Sequence, residues 1–173
     1  MFRIMLVYGA IAGVVIIAVM LAGMAMNGGA GSVIQGYLTM LVVLSLIFVG
    51  VKRYRDKDLG GVIKFLPAFG LGVGIAAVAG VFYVLSWEAS RQMTDFAWME
   101  SYKQGAITGY EAKGLTGDEL AEKVATLEAM MASYTNPFFR LPMTFLEIFP
   151  VGLVVALVSA ALLRNPKVFP AKA

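Results

Sequence analysis

The chain has 173 residues, of which 60% are hydrophobic and 14% are charged, and its net charge is only +3. An ordinary soluble domain carries about 25% charged residues, and so small a net charge gives no indication of nucleic acid as a partner. The sequence has no Cys and no His, which excludes disulfides, thiolate nucleophiles, Cys/His zinc sites and Ser-His-Asp triads. We therefore expect neither an enzyme, a metal site nor a cofactor.

Four apolar runs are each long enough to cross a bilayer. A hydrocarbon core of ~30 Å takes about 20 helical residues, and in lipid a run of this length satisfies its backbone only as a helix. The runs cover residues 4–26, 33–51, 62–87 and 143–163. The sequence thus predicts an all-α membrane protein, with residues 1–173 forming one integral domain of four transmembrane helices and a helical insert at 88–140.

The first run follows Arg3 and so begins like a signal peptide. It is much longer than the ~7–15 residues of a signal-peptide core, and no clean A-x-A site follows it. We expect it to be retained as the first transmembrane helix.

Glycines at a spacing of four occur in the first and third runs. Gly9 and Gly13 form G-x-x-x-G in the first, and Gly70 and Gly74 repeat the motif in the third. This spacing lets helix backbones approach closely. We expect these glycines to pack the first run on the third or, alternatively, to support a homodimer.

The segments between the runs differ in charge. The N-terminus, residues 52–64 and the residues after 163 together hold nine basic and two acidic residues, whereas 88–140 holds eight acidic and five basic. Because cytoplasmic segments are enriched in Lys and Arg, we expect both termini in the cytoplasm and 88–140 outside it, in a bacterial inner membrane.

The basic loop between the second and third runs has two interpretations. It sets the topology, or it also contacts anionic lipid head groups, to which each cation near the surface contributes about 1 kcal/mol. The cations concerned are Lys52, Arg53, Arg55 and Lys57.

The insert at 88–140 is expected to contain two helices. The third run continues without a breaker past Trp87 until three glycines interrupt it, namely Gly105, Gly109 and Gly114. A capping box at Thr116–Glu119 then predicts a second helix that ends near Tyr134, before Asn136-Pro137. Its apolar stripe packs on a neighbouring helix or on the bilayer surface, or binds a partner. The stripe consists of Leu120, Val124, Leu127 and Met131.

Glu147 lies inside the fourth run, where an ionised carboxylate costs a few kcal/mol and requires a partner. Pro150 follows three residues later and frees a backbone carbonyl, an arrangement suited to holding a proton or a small cation. The competing interpretation is architectural. Glu147 would lie in the first turns after Pro142, where the helix dipole favours an anion, and would pair with Arg91 or Arg140.

Glu88 follows Trp87, a residue type that anchors helices at the membrane interface, and is expected to be solvated. Alternatively, Gln35 and Glu88, at the outer ends of the second and third runs, join Glu147 in a polar cluster. A carboxylate-only active site at Glu88 and Glu147, of a lipid-modifying kind, is the remaining enzymatic alternative. A polar cleft that joins both carboxylates to the outer surface would support it, and a dry, packed outer end would exclude it.

Two blocks of sequence resemble a known family. The first contains Tyr8-Gly9 with Gly13, Gly50-Val51-Lys52-Arg53-Tyr54-Arg55-Asp56, Gly60-Gly61, Phe65 and Ala68-Phe69. The second contains Asn136-Pro137, Thr144-Phe145-Leu146-Glu147-Ile148-Phe149-Pro150-Val151-Gly152-Leu153 and Ser159-Ala160. In this order, and over nearly the whole chain, they resemble the bacterial membrane family called domain of unknown function 4199. The resemblance implies four membrane helices and brings no activity or ligand.

Two functions remain in competition. The first is a non-enzymatic accessory or structural subunit of the inner membrane, which packs with itself or with a larger membrane complex. The alternative is a small proton- or ion-coupled transporter that acts as a dimer and uses Glu147 beside Pro150. In both, the bilayer is the main partner.

Overall fold

The computed structural model describes residues 1–26, 33–94 and 97–171. Within these residues there are seven helices and no strands. In chain order the helices are α1 (Phe2–Met26), α2 (Val33–Leu44), α3 (Leu46–Asp58), α4 (Phe65–Thr94), α5 (Ala97–Ala112), α6 (Gly117–Tyr134) and α7 (Pro137–Leu163). The chain forms two compact units: a first unit of Met1–Trp87 with Thr144–Ala173, and a second unit of Glu88–Met143.

Within the described ranges, four segments are long and apolar enough to cross a membrane, which confirms the predicted all-helical fold with four such helices. They are Phe2–Val19, Gly36–Asp58, Phe65–Ala89 and Pro137–Leu163. The second segment joins α2 to α3 through Ser45, whose backbone N–H still donates to the Leu41 carbonyl at 3.1 Å. Ser45 therefore does not interrupt the span.

The helix of the second span ends later than predicted. It was expected to end at Val51, but α3 continues to Asp58. Lys52 pairs with Asp56 one turn later, and an ion pair at this spacing stabilises a helix. The basic segment is thus mostly helix rather than loop.

The third span begins later than predicted. The apolar run starts at Val62, whereas α4 starts at Phe65. Gly60 and Gly61 have φ of 63° and 92°, a left-handed conformation that glycine adopts without steric penalty. These two glycines form the turn between α3 and α4.

The fourth span begins six residues earlier than the predicted Met143, since α7 starts at Pro137. Asn136 supplies the cap, because its side-chain Oδ1 accepts from the backbone N–H of Phe138 at 3.0 Å. Proline is favoured at the first helical position, where its missing N–H has no helical partner to lose. Pro142, after which the sequence predicts the helix to begin, lies inside α7.

The first unit has one apolar core. Its members come from α1, α2, α3, α4 and α7, with Ile63 from the segment before α4, and several of them have no exposed surface at all. These include Ala12, Leu44, Ile47, Leu71, Ile75 and Ala156. The four apolar segments therefore pack on one another within this unit.

The second unit contains α5 and α6, which pack on each other. The predicted interruption at Gly105 and Gly109 is wrong, because α5 runs through both and ends before Gly114, which has φ of 84°. A glycine inside a helix costs only about 1 kcal/mol, and packing against a neighbouring helix offsets costs of this size.

The bounds of α6 agree with the prediction. The helix ends at Tyr134, and Thr116 occupies the cap position with extended backbone, although its side chain makes no capping hydrogen bond. In the apolar stripe Leu127 is buried with 5% exposure. The stripe thus lies on the more protected side of α6, in a unit where α5 is packed against this helix.

Candidate functional site

Gly9 and Gly13 lie where α1 meets α4. A Cβ at Gly9 would lie 2.5 Å from the Cβ of Val78, and a Cβ at Gly13 would lie 2.5 Å from the Cβ of Phe82. At Gly74 the nearest atoms are Sδ and Cε at the flexible end of the Met5 side chain. Gly9 and Gly13 therefore permit the close contact between α1 and α4, whereas the end of Met5 can move away from a side chain at Gly74.

Gly70 is placed differently from the other three glycines. Apart from the neighbouring backbone of α4, no atom of the described residues lies within 4 Å of the position that its Cβ would occupy, so no described helix contact requires glycine there. The small-residue face that α4 presents to α7 is displaced by two positions from Gly70 and Gly74. It comprises Gly72, Ala76 and Gly80, a spacing of four that the sequence also shows.

Contacts between α4 and α7 involve small residues on both helices. A Cβ at Gly72 would lie 2.8 Å from the Cβ of Ala156, and a Cβ at Gly152 would lie 2.7 Å from the Cβ of Ala76. Gly80 lies against the ring of Phe145. Because glycine and alanine lack bulk, the two backbones approach closely, as in other membrane helix pairs.

Arg55 corrects the prediction of a surface cation. Its side chain has no exposed surface, and its guanidinium donates to the backbone carbonyls of Leu163 at 3.4 Å and Val168 at 3.0 Å, and to that of Phe169. Its Nε also donates to Asp56 at 2.7 Å. Arg55 therefore binds the residues that follow α7 rather than a lipid head group.

The other cations of this segment remain at the surface. Arg53 and Lys57 are exposed, and Lys52 is half-buried beside Asp56. The predicted contact with anionic head groups stays open for these three.

Glu88 and Arg140 form a charged pair in the second unit. The Arg140 Nε donates to one Glu88 oxygen at 2.6 Å, and a terminal nitrogen donates to the other at 2.9 Å. Arg140 also donates to the carbonyls of Tyr134 and Thr135 at 2.9 Å each. Its side chain is 3% exposed, so the pair holds a buried cation in a bidentate geometry, which is among the stronger ionic contacts in proteins.

Glu147 lies on the exposed side of α7. The buried hydroxyl of Tyr83, from α4, donates to its Oε2 at 3.4 Å. The prediction placed Glu147 in the first turns of a helix, but α7 begins ten residues earlier, at Pro137. The helix dipole acts within about one turn, so it does not account for a carboxylate at this position.

The depth of Glu147 follows from the length of α7. Ten residues separate it from Pro137 and sixteen from Leu163, or about 15 Å and about 24 Å along the axis. A hydrocarbon layer of ~30 Å centred on this helix encloses the carboxylate. Pro150 lies one turn further along the same exposed face.

The predicted cluster of Gln35, Glu88 and Glu147 is only partly described. The side chains of Gln35 and Arg91 lie outside the described residues. Glu88 binds Arg140, and Glu147 binds Tyr83, so each carboxylate has a partner within its own unit. In the described part of the chain no three acidic side chains come together to hold a metal ion.

Among the described helices, four are long and apolar enough to cross a membrane, which is the pattern of a multi-pass membrane protein, and Glu147 lies within the fourth of these segments. Residues 7–165 match the family described as protein of unknown function (DUF4199), and the chain belongs to that family. No curated protein and no solved structure matches the chain.

Proposed function

We propose that this protein is a non-enzymatic accessory or structural subunit of the bacterial inner membrane, which packs with itself or with a larger membrane complex. One observation carries the proposal: Glu147 lies on an exposed, apolar face of α7 at a depth where lipid offers no polar group. An ionisable residue in that position costs a few kcal/mol. A protein partner that covers this face and contacts the carboxyl group removes the cost.

The proposed orientation places both termini and the segment between α3 and α4 in the cytoplasm. The second unit then lies outside it. The support is the charge distribution, since nine of the fourteen basic residues are in the three segments assigned to the cytoplasm.

Crosslinking in membranes tests the association. A photo-crosslinking amino acid at Val154, which is 57% exposed on α7, is compared with the same group at Val42, which is 71% exposed on α2. We expect protein adducts from Val154 and mainly lipid adducts from Val42. A chain that runs as a monomer in mild detergent and gives no protein adduct at Val154 would contradict the proposal.

The second candidate is a proton- or ion-coupled transporter, which is favoured by the contact between Tyr83 and Glu147. A hydroxyl beside a carboxyl at membrane depth, one turn from a proline that frees the Leu146 carbonyl, provides groups that hold a proton or small cation. The protein in liposomes with an internal pH dye would show proton flux that Glu147→Gln abolishes, while the exposed-site control Glu122→Gln leaves it intact. Equal flux in both variants would exclude Glu147 from transport.

A further inference from the structure

The exposed face of α7 forms a continuous seam. Its positions alternate in spacing between four and three residues, which is the pattern of two helices that pack side by side at about 20°. Every position in the series is exposed and belongs to the first unit. The series is Glu147, Pro150, Val154, Leu157 and Ala161.

The Tyr83 hydroxyl donates one hydrogen bond to Glu147 at 3.4 Å, and a carboxyl group has room for more than one such contact. We expect a partner for this seam to offer a further polar group at the depth of Glu147. Lipid tails offer none, and at this depth a carboxylate is too short to reach the interface. A second copy offers one by symmetry, because residues near a two-fold axis meet their own counterparts. A protonated carboxyl donates to the carboxylate of its counterpart, so the pair is self-complementary.

Symmetry also fixes the direction of the axis. Two copies inserted in the same orientation form a closed pair only around an axis along the membrane normal. The two α7 helices are then parallel and in register, and both Glu147 residues lie at one depth.

We propose that α7 is the interface of a parallel homodimer in which the Glu147 carboxyl groups of the two copies hydrogen-bond to each other. This rests on the proposed function and deepens it, since it identifies the partner as a second copy and gives the register of the contact. Gly9 and Gly13 take no part, because α4 occupies their face.

The natural absence of Cys makes disulfide crosslinking a clean test, since each introduced Cys is the sole thiol. Leu157→Cys and Val158→Cys form a matched pair, with side chains 50% and 51% exposed at nearly equal depth. Only Leu157 belongs to the seam. Oxidation in native membranes should join Leu157→Cys chains into a species of twice 18.5 kDa, with a yield several-fold above that of Val158→Cys.

The carboxyl pair is tested in the Leu157→Cys background. Glu147→Gln should keep the disulfide yield, because amides also donate to and accept from each other, whereas Glu147→Ala should lower it several-fold. An unchanged yield in well-folded Glu147→Ala protein would overturn the role of the carboxyl pair.

Other outcomes separate this inference from the proposed function. Equal disulfide yields at Leu157→Cys and Val158→Cys would overturn the seam. Photo-adducts at Val154 with a different protein, without disulfide dimers, would overturn the homodimer and leave the accessory-subunit proposal standing. If neither photo-adducts at Val154 nor disulfide dimers form, the homodimer and the accessory-subunit proposal are both overturned.

Discussion

At the scale of single residues, Arg55 shows how a cation is used inside an apolar bundle. Its planar guanidinium has five donors in a fixed fork, and it reaches carbonyls at the end of α7, carbonyls in the following segment, and Asp56. One acceptor belongs to Phe169, which has a φ of 50° that is rare outside glycine. The ring of this residue also contacts Phe48, at 5.4 Å between centroids. Arg55 and Phe48 together hold the C-terminal segment against α3.

The variant Arg55→Lys should destabilise the protein. An ammonium group makes fewer of these bonds, so buried carbonyls lose their donor, and we expect the free energy of unfolding to fall by about 2–4 kcal/mol. Reversible unfolding in detergent micelles, followed by circular dichroism, measures this. Trypsin should also cleave the variant faster at Arg164 and Lys167.

The matched control for Arg55→Lys is Arg53→Lys, an exposed residue of the same helix. Surface substitutions of this kind change stability by within about 0.5 kcal/mol. Equal stability of the two variants would contradict the anchoring role. The sequence could not predict this role, because a run of charges does not show which member a distant C-terminal segment will cover.

At the scale of elements, replacement by alanine should affect stability in opposite directions at Gly13 in α1 and at Gly70 in α4. Gly13→Ala places a Cβ 2.5 Å from the Cβ of Phe82 and 2.8 Å from a backbone carbonyl of α4. Overpacking of this kind costs about 1–3 kcal/mol. Gly70→Ala has open space around it and should leave stability unchanged or raise it by up to about 1 kcal/mol.

Unfolding of both alanine variants under the same detergent conditions checks this contrast. The comparison has its own control, because each variant adds one methyl group to a helical glycine in a predicted span. If Gly70→Ala destabilises the protein as much as Gly13→Ala does, Gly70 must contact another molecule, because the described residues of the single chain make no close contact at that position.

In the second unit, Lys103 on α5 pairs with Glu128 on α6 at 2.5 Å. The hydrogen bond to this carboxylate raises the pKa of Lys103 above its ordinary 10.5. A raised pKa in the folded state means that the pair stabilises fully below pH 10.5, and that this stabilisation is lost as the pH rises through the folded-state value.

The variant Glu128→Gln should therefore have a lower Tm than the natural protein by the same small amount from pH 7 to about pH 9. Above about pH 10.5 the two Tm values should converge. Exposed Glu122→Gln, on the same helix, serves as the control. A difference in Tm that persists unchanged into strong alkali would show that Glu128 acts by packing rather than by charge.

The ends of the helices could be predicted from the sequence only in part. The end of α6 at Tyr134 was predicted, because Asn136-Pro137 is a strong stop signal. The same pair also starts α7, which was missed. One dipeptide satisfies both requirements, since asparagine caps a helix and proline fits its first position.

At the scale of the whole molecule, the four membrane-spanning segments could be predicted from the length and apolarity of the runs, because a bilayer requires both of any segment that crosses it. Glu147 was also recognisable, as an ionisable residue within such a run. The direction in which the Glu147 side chain faces could not be predicted from the sequence, since it depends on how α4 and α7 pack. The small face of Gly72, Ala76 and Gly80 fixes that rotation, and its phase differs from the predicted Gly70 and Gly74.

The orientation of the molecule gives the last prediction. Single Cys residues at Leu59, Ser101 and Asn165 are exposed and remove no charge, so they leave the topogenic signals unaltered. In intact spheroplasts a membrane-impermeant maleimide should label only Ser101→Cys, and permeabilisation should add the other two. Leu59→Cys and Asn165→Cys must behave alike, because an even number of spans separates them. Labelling of both from outside would invert the proposed topology, whereas labelling of just one would mean that α4 and α7 do not both cross the membrane.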